Sequence, residues 1–131
     1  MIEYRRNHPL DPQEVARVFK ASGINRPSDD IPRITSMLEG ANLIVSAWHE
    51  DKLIGVCRAL TDYCYCCYLS DLAVDRAYQR QGIGTELISQ VRKATGDEVS
   101  LVLLSAPGAM DYYKRIGLTL VDNAFVKKRL K

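Results

Sequence analysis

The amino-acid sequence predicts a mixed α/β (α+β) domain, with a mostly antiparallel central sheet of six to seven strands flanked by about four helices. Short apolar runs bounded by turn residues alternate with stretches whose apolar residues recur at helical spacing. The run Val99 to Leu104 is apolar apart from Ser100, as in a strand covered on both faces. A glycine turn, Gly82-Ile83-Gly84, leads from a strand ending at Val74 into a helix, and the buried strand follows, the order of a right-handed crossover unit.

In chain order, Ile2 and Tyr4 alternate with polar residues and open the chain with a short strand, ended by the turn at Asn7, His8 and Pro9. Asp11 can accept the first free amides of a helix that begins at Pro12, carries Val15, Val18 and Phe19 on one stripe, and stops at Gly23. Ser28 to Glu39 reads as a second helix with Ser28 as its cap and Ile31, Ile34 and Leu38 on one face. Leu43 to Trp48 and Leu53 to Leu60, joined by Glu50, Asp51 and Lys52, are two antiparallel strands, and Tyr65 to Val74 is a third. From Thr85 to Ala94, Leu87, Ile88 and Val91 mark a third helix, and Ala106 to Ile116 a fourth with Gly117 at its end. Leu118 to Val121 and Phe125 to Leu130 then form a closing hairpin around Asp122 and Asn123. No repeat, low-complexity stretch or linker divides residues 1–131, so one domain is expected.

Composition excludes several classes. Eighteen basic against sixteen acidic residues leave a net charge of +2, too little for an ordinary nucleic-acid footprint. The basic end, Lys127, Lys128, Arg129 and Lys131, is broken by Leu130 and reads as a solvated strand edge. No apolar run approaches the roughly 18 residues of a membrane span, and no apolar stretch follows Arg5 and Arg6, so a cytoplasmic protein without membrane partners is expected. Cys57, Cys64, Cys66 and Cys67 do not form the two spaced pairs of a zinc site, and Cys66 and Cys67 point to opposite faces of one strand, so reduced thiols and no metal are expected. His8 and His49 read as ordinary surface or packing residues.

The glycine turn carries the chemistry. Glycines let a backbone approach a ligand closely, and the unpaired amides and positive dipole end of the following helix favour an anion, with Arg76 and Arg80 nearby. A P-loop would need a lysine where Thr85 and Glu86 follow Gly84, and a dinucleotide-binding fingerprint would need glycine at Leu87. Taken alone, Gly82-Ile83-Gly84 is also compatible with a tight strand-to-helix connection.

The stretch Val74-Asp75-Arg76-Ala77-Tyr78-Gln79-Arg80-Gln81-Gly82-Ile83-Gly84 resembles the acetyl-CoA signature of the GCN5-related N-acetyltransferase (GNAT) superfamily, Gln/Arg-x-x-Gly-x-Gly/Ala, which Gln79, Gly82 and Gly84 fill. Downstream, Ala109-Met110-Asp111-Tyr112-Tyr113-Lys114-Arg115-Ile116-Gly117-Leu118 resembles the family's Ala-x-x-Phe-Tyr-x-Lys-x-Gly-Phe. The resemblance covers the order of elements from Ile2 to Leu130, although the N-terminal half carries no motif. It implies acetyl-CoA as cosubstrate, with pantetheine beside Leu72, Ala73 and Val74 and the pyrophosphate wrapped by backbone from Gln79 through Arg80, Gln81, Gly82, Ile83 and Gly84 to Thr85. Arg76 and Arg80 then either meet the ribose phosphate or are simply solvated. Where the family commonly has an asparagine against the cofactor, this chain has Ser105.

The reaction implied is direct acetyl transfer to a primary amine of a small molecule or protein. Tyr113 matches the family tyrosine and is the expected general acid, with Tyr112 filling the core beside it. At the positions where relatives often place a base, this chain has Tyr68 and Ser70, which leaves Asp71 as the nearest carboxylate, on the opposite strand face unless a bulge intervenes. The missing strong base keeps a non-catalytic acyl-CoA-binding module open as the other reading. Acceptor choice falls to Ser22 to Asp30 and to Trp48, Arg58 and Tyr63, and the closing hairpin offers an edge for a homodimer.

Overall fold

Asp11 caps the first helix as expected: its carboxylate accepts the Gln13 N–H at 3.0 Å, and Pro12 stands in the first turn of α1, Pro12–Ser22. The computed structural model describes residues 1–131. The other elements are β1 (Ile2–Arg6), α2 (Ile31–Gly40), β2 (Leu43–His49), β3 (Lys52–Thr61), β4 (Cys66–Val74), α3 (Ile83–Thr95), β5 (Ser100–Leu103) and α4 (Met110–Arg115). Helix α2 starts later than Ser28, because Asp30 takes the cap and accepts the Arg33 N–H, with Pro32 in the first turn. Proline constrains the residue before it away from helix but suits a first turn, so the start moves to the cap that Pro32 supports.

The sheet runs β1-β2-β3-β4-β5 in sequence order, antiparallel except for the parallel pair β4 and β5. Helix α3 covers one face, where Leu87, Ile88 and Val91 pack on Val45, Ala47, Cys57 and Leu69. Helices α1 and α2 cover the other, where Val15, Phe19 and Ile34 pack on Leu53, Val56 and Ala73. Each fully buried Val, Leu, Ile or Phe among these contributes about 1.5–3 kcal/mol of transfer free energy, so the two layers hold the sheet from both sides.

Strand β4 changes face at a bulge. Arg58 of β3 pairs with Asp71 and Ala59 pairs with Leu69, which leaves Ser70 opposite nothing. Cys67 and Leu69 pack on the α3 side, while beyond the bulge Ala73 packs on the α1 and α2 side and Leu72 and Val74 return to the α3 side. The extra residue thus rotates the strand and places Asp71 among α1, α2 and β3. Strand β5 pairs only with Cys66 to Leu69, so β4 continues from Ser70 to Val74 with no strand on that edge and the two strands part there.

Two expectations are corrected. The sheet has five strands, not six to seven, because Leu118 to Lys131 carries no strand and the closing hairpin is absent. A hairpin holds only when one face packs on a core, and the element it would join is itself uncovered: β5 is not buried on both faces, since Val102 is 50% exposed and Leu104 just beyond it 53%. Helix α4 is also shorter than expected, because Pro107–Ala109 forms a 3-10 turn before it. No helix is long and apolar enough to cross a membrane.

The β3–β4 turn is closed by one carboxylate: Asp62 Oδ1 accepts the N–H groups of Cys64, Tyr65 and Cys66 at 2.8, 2.7 and 3.0 Å. The amides of Tyr65, Cys66 and Cys64 hold this carboxyl well below its ordinary value, at about 2. A depressed carboxyl stabilises the fold above its unfolded pKa of roughly 3.9 and loses that contribution as pH falls through the folded value. Asp62→Ala therefore lowers the melting temperature at pH 7, and the gap from the unsubstituted chain narrows as pH approaches 2. A gap independent of pH in a circular-dichroism melting series contradicts this assignment.

Candidate functional site

Gly82 adopts φ +80 and forms the N-cap of α3 without any side-chain bond. The first intrahelical bond runs from the Glu86 N–H to the Gly82 carbonyl at 3.0 Å, so the amides of Ile83, Gly84 and Thr85 have no helical acceptor. Arg80, at φ +66, is left-handed as well. Two left-handed residues within three positions curl the turn over the helix start, a shape that presents amides to an anion. The Ile83 side chain is buried in the α3 core, so only its backbone faces the turn. Ala73 is likewise buried, and any contact from it is through backbone.

Gln79 donates its side-chain N–H to the Val74 carbonyl at 2.7 Å, closing the turn from Val74 to Gln79 that precedes Gln81 and Gly82. Arg76 lies against Gly23 at the end of α1, whereas Arg80 is exposed at the turn. His49 bonds the Tyr78 hydroxyl at 2.8 Å and His8 packs edge-on to Trp48, so both histidines hold structure. All four cysteines are free, with Cys57 and Cys67 buried and Cys64 and Cys66 exposed, which puts Cys66 and Cys67 on opposite faces.

Thr85, Ser105 and Tyr113 meet on one groove of about 900 Å³ along β5, while Leu72 to Val74 and Gln79 to Gly84 stand outside it. Ser105 donates its hydroxyl to the Ala106 carbonyl at 2.7 Å. The tyrosine pair is arranged opposite to expectation: Tyr113 packs against the α3-side core, and the Tyr112 hydroxyl lies 3.3 Å from Thr85 Oγ1 at the helix start. Gly84 leaves room for it, since a Cβ there would stand 2.6 Å from Tyr112 Oη. Burial, then the neighbouring Tyr112 and Cys57, push the Tyr113 phenol above its ordinary value, against a smaller opposing effect of Arg26. Tyr113 is therefore protonated throughout the neutral range.

Asp71 is fully buried, and both of its oxygens are engaged. Arg26 Nε donates to Oδ1 and Arg58 Nε to Oδ2, each at 2.5 Å. Arg26 also donates to the Ser70 carbonyl at 2.6 Å, and Arg58 to the Ser70 hydroxyl at 3.0 Å and the Met37 carbonyl at 3.3 Å. The bulge, the α1–α2 loop and α2 are thereby tied to one carboxylate. A carboxylate closed off in this way is poorly placed to accept a proton from an incoming amine. Sequence reasoning missed Arg26, which lies 45 residues from Asp71, and nothing in the local pattern marks it.

The site is thus a crossover whose helix start carries no side-chain cap, beside parted parallel strands and a protonated tyrosine. Residues 12–131 match the family described as Acetyltransferase (GNAT) domain, and the chain belongs to that family. An uncharacterized ycf52-like N-acetyltransferase of Prochlorococcus marinus is 31% identical over 117 residues, 85% of this chain and 64% of the relative. A chloroplastic GCN5-related N-acetyltransferase of Arabidopsis thaliana is 33% identical over 70 residues, 52% of this chain and 27% of the relative. The chain thus spans less than two thirds of the length of either relative. Among solved structures, a probable acetyltransferase of Staphylococcus aureus superposes at TM-score 0.83 with 19% identity, covering 100% of this chain and 99% of the other. Aminoglycoside N-acetyltransferase AAC(6')-Iy, solved with CoA, superposes at 0.74 with 13% identity, covering 100% and 96%. These two show the fold.

Two substitutions test the geometry. Asp71→Ala leaves two guanidinium groups without their carboxylate and lowers unfolding free energy by roughly 3 kcal/mol or more; a loss under about 1 kcal/mol in urea unfolding would remove the clasp as a structural element. Alanine is intrinsically favoured over glycine in a helix by about 1 kcal/mol, so a Gly84→Ala chain less stable than the parent reports the clash with Tyr112. Adding Tyr112→Phe restores the stability; equal melting of Gly84→Ala with and without it shows that the ring swings clear unaided.

Proposed function

We propose that the chain is an acetyl-CoA-dependent N-acetyltransferase that passes the acetyl group directly to a primary amine of a small molecule or protein while both substrates are bound. The observation that carries this reading is the uncapped start of α3 at Gly82 to Thr85, set beside the open edge of β4. The residues fit the cosubstrate: free amides and the helix dipole suit a pyrophosphate, and the unpaired edge of Leu72, Ala73 and Val74 can bond an extended amide chain as a strand would. Gln79 would hold the loop, Arg80, Gln81, Gly82, Ile83, Gly84 and Thr85 would surround the phosphates, and Ser105 would close the far side. When bound, acetyl-CoA supplies an activated acetyl thioester and a thiol leaving group.

Tyr113 is the general acid in this reading. Its phenol, raised above the ordinary value near 10, keeps its proton through and beyond neutral pH and can deliver it to a departing thiolate. Asp71 acts as a positioning residue rather than a base: it fixes the bulge at Ser70, whose rotation turns the backbone beyond it toward the gap. The amine would then arrive already neutral or lose its proton through water. The absence of a free carboxylate or imidazole at Tyr68, Ser70 and Asp71 is the one observation that favours the second reading, a non-catalytic acyl-CoA-binding module.

Mass spectrometry of an amine panel incubated with protein and acetyl-CoA decides between them. Aminoglycosides belong in the panel because solved neighbours of this fold include aminoglycoside acetyltransferases. Acetylated product supports transfer, whereas saturable acetyl-CoA binding with no product from any amine supports the module. In the active chain, Tyr113→Phe lowers kcat by about 100-fold and leaves acetyl-CoA binding within about twofold. Because the phenol is raised, the unsubstituted enzyme shows no descending limb from Tyr113 below pH 10 or so; a Tyr113-dependent fall near pH 8 overturns its role as acid.

A further inference from the structure

The amides of Ile83, Gly84 and Thr85 at the start of α3 lack helical acceptors, and a side chain from α4 reaches over them. The Tyr112 hydroxyl lies 3.3 Å from Thr85 Oγ1. A Cβ built on Gly84 would stand 2.6 Å from Tyr112 Oη, 3.6 Å from Tyr112 Cζ and 3.8 Å from Leu72 Cδ2. The phenol thus sits between the two features that suit the cosubstrate, the uncapped helix start and the open edge of β4.

We propose that the Tyr112 hydroxyl donates to a pyrophosphate oxygen of the bound cosubstrate, adding a phenol to the backbone donors of α3; this rests on acetyl-CoA being the ligand of that helix start. The family pattern Ala-x-x-Phe-Tyr has phenylalanine where this chain has Tyr112, so a ring can pack there without the hydroxyl. In this chain the ring is held by an edge-on contact with Tyr113, with centroids 5.3 Å apart and planes at 71°. Tyr113 packs in turn on the α3-side core. The hydroxyl is therefore placed before any ligand arrives, and little rotamer freedom is lost when it binds.

The hydrogen count points the same way. A phenol and a threonine hydroxyl each carry one hydrogen, so when Thr85 Oγ1 donates to Tyr112 Oη the phenol hydrogen is free to turn outward. Their separation is long beside the usual value of about 2.7–2.8 Å for two hydroxyls, and a phosphate oxygen accepts a shorter, stronger bond because it is charged. The acid of the first turn, Glu86, does not stand against such an anion: Gln90 donates to its Oε2 at 2.6 Å. Burial and then the Glu86 charge raise the Tyr4 phenol, which puts that carboxylate on the side of α3 that faces β1.

Titration calorimetry on the full chain and phosphorus NMR of the bound ligand test it. Tyr112→Phe raises the dissociation constant for acetyl-CoA by at least about 10-fold, and by the same factor for dephospho-acetyl-CoA, which lacks the ribose phosphate. It also shifts the pyrophosphate resonances of bound acetyl-CoA and leaves the ribose phosphate resonance in place. A rise below about twofold, or unmoved pyrophosphate resonances, reduces Tyr112 to a packing residue and overturns the proposal. A rise that vanishes with the dephospho ligand assigns the hydroxyl to the ribose phosphate and overturns it equally. An unsubstituted chain that binds no acetyl-CoA removes this contact together with the proposed function, whereas binding without any acetylated amine removes acetyl transfer alone.

Discussion

The clasp of Arg26 and Arg58 on Asp71 is the interaction on which the working end of this structure depends. A bulge is a local loss of ladder bonding, and a strand keeps it only when surrounding contacts favour the rotated arrangement. Here one buried carboxylate accepts from two guanidinium groups, and both groups reach on to Ser70, the residue without a partner across the ladder. A buried ion pair is costly to form but severe to break. Its consequence here is specificity of backbone position: the same contacts set the face of β4 and hold the α1–α2 loop against it.

Next to that rotation the two parallel strands part. Beyond Leu69, β5 no longer pairs with β4, and the backbone of Leu72 to Val74 is left with an edge free of other strands. The start of α3 stands beside the same strand end because the loop from Asp75 to Gln81 is short and closed by Gln79 on the Val74 carbonyl. The helix lacks any side-chain cap at Gly82, so its donors are available to a ligand. Tyr112 and Tyr113 point different ways, one hydroxyl meeting Thr85 at the helix start and the other phenol half-buried against the α3-side core and held protonated.

The far side of the molecule shows what happens when a sheet runs out of cover. Helices α1, α2 and α3 enclose β2, β3 and most of β4, but α4 is a short helix with no buried residue. Strand β5 is consequently half open, and the apolar residues after Gly117 find no ladder within their own chain. The same amino acids that read as a closing hairpin are thus surface, with Leu120, Val121, Phe125 and Leu130 all exposed.

What the sequence determined by itself is the part governed by short-range rules. The Asp11 cap, the helical stripe of Val15, Val18 and Phe19, the first four strands and the glycine turn at Gly82 and Gly84 all depend on neighbours a few residues away, and each is legible for that reason. The spacing of Gln79, Gly82, Gly84 and Tyr113 was enough to point to the family to which the chain belongs. Tertiary structure alone decided the rest. Which tyrosine of the pair meets the core depends on how α4 leans on α3, and periodicity in a helix this short cannot choose between adjacent residues. The face of Asp71 turned on one bulged residue, and its partners come from Arg26 and Arg58, 45 and 13 residues away. The strand count was decided by burial, since an apolar run pairs only where a packed layer waits beneath it, and no local pattern records whether that layer exists.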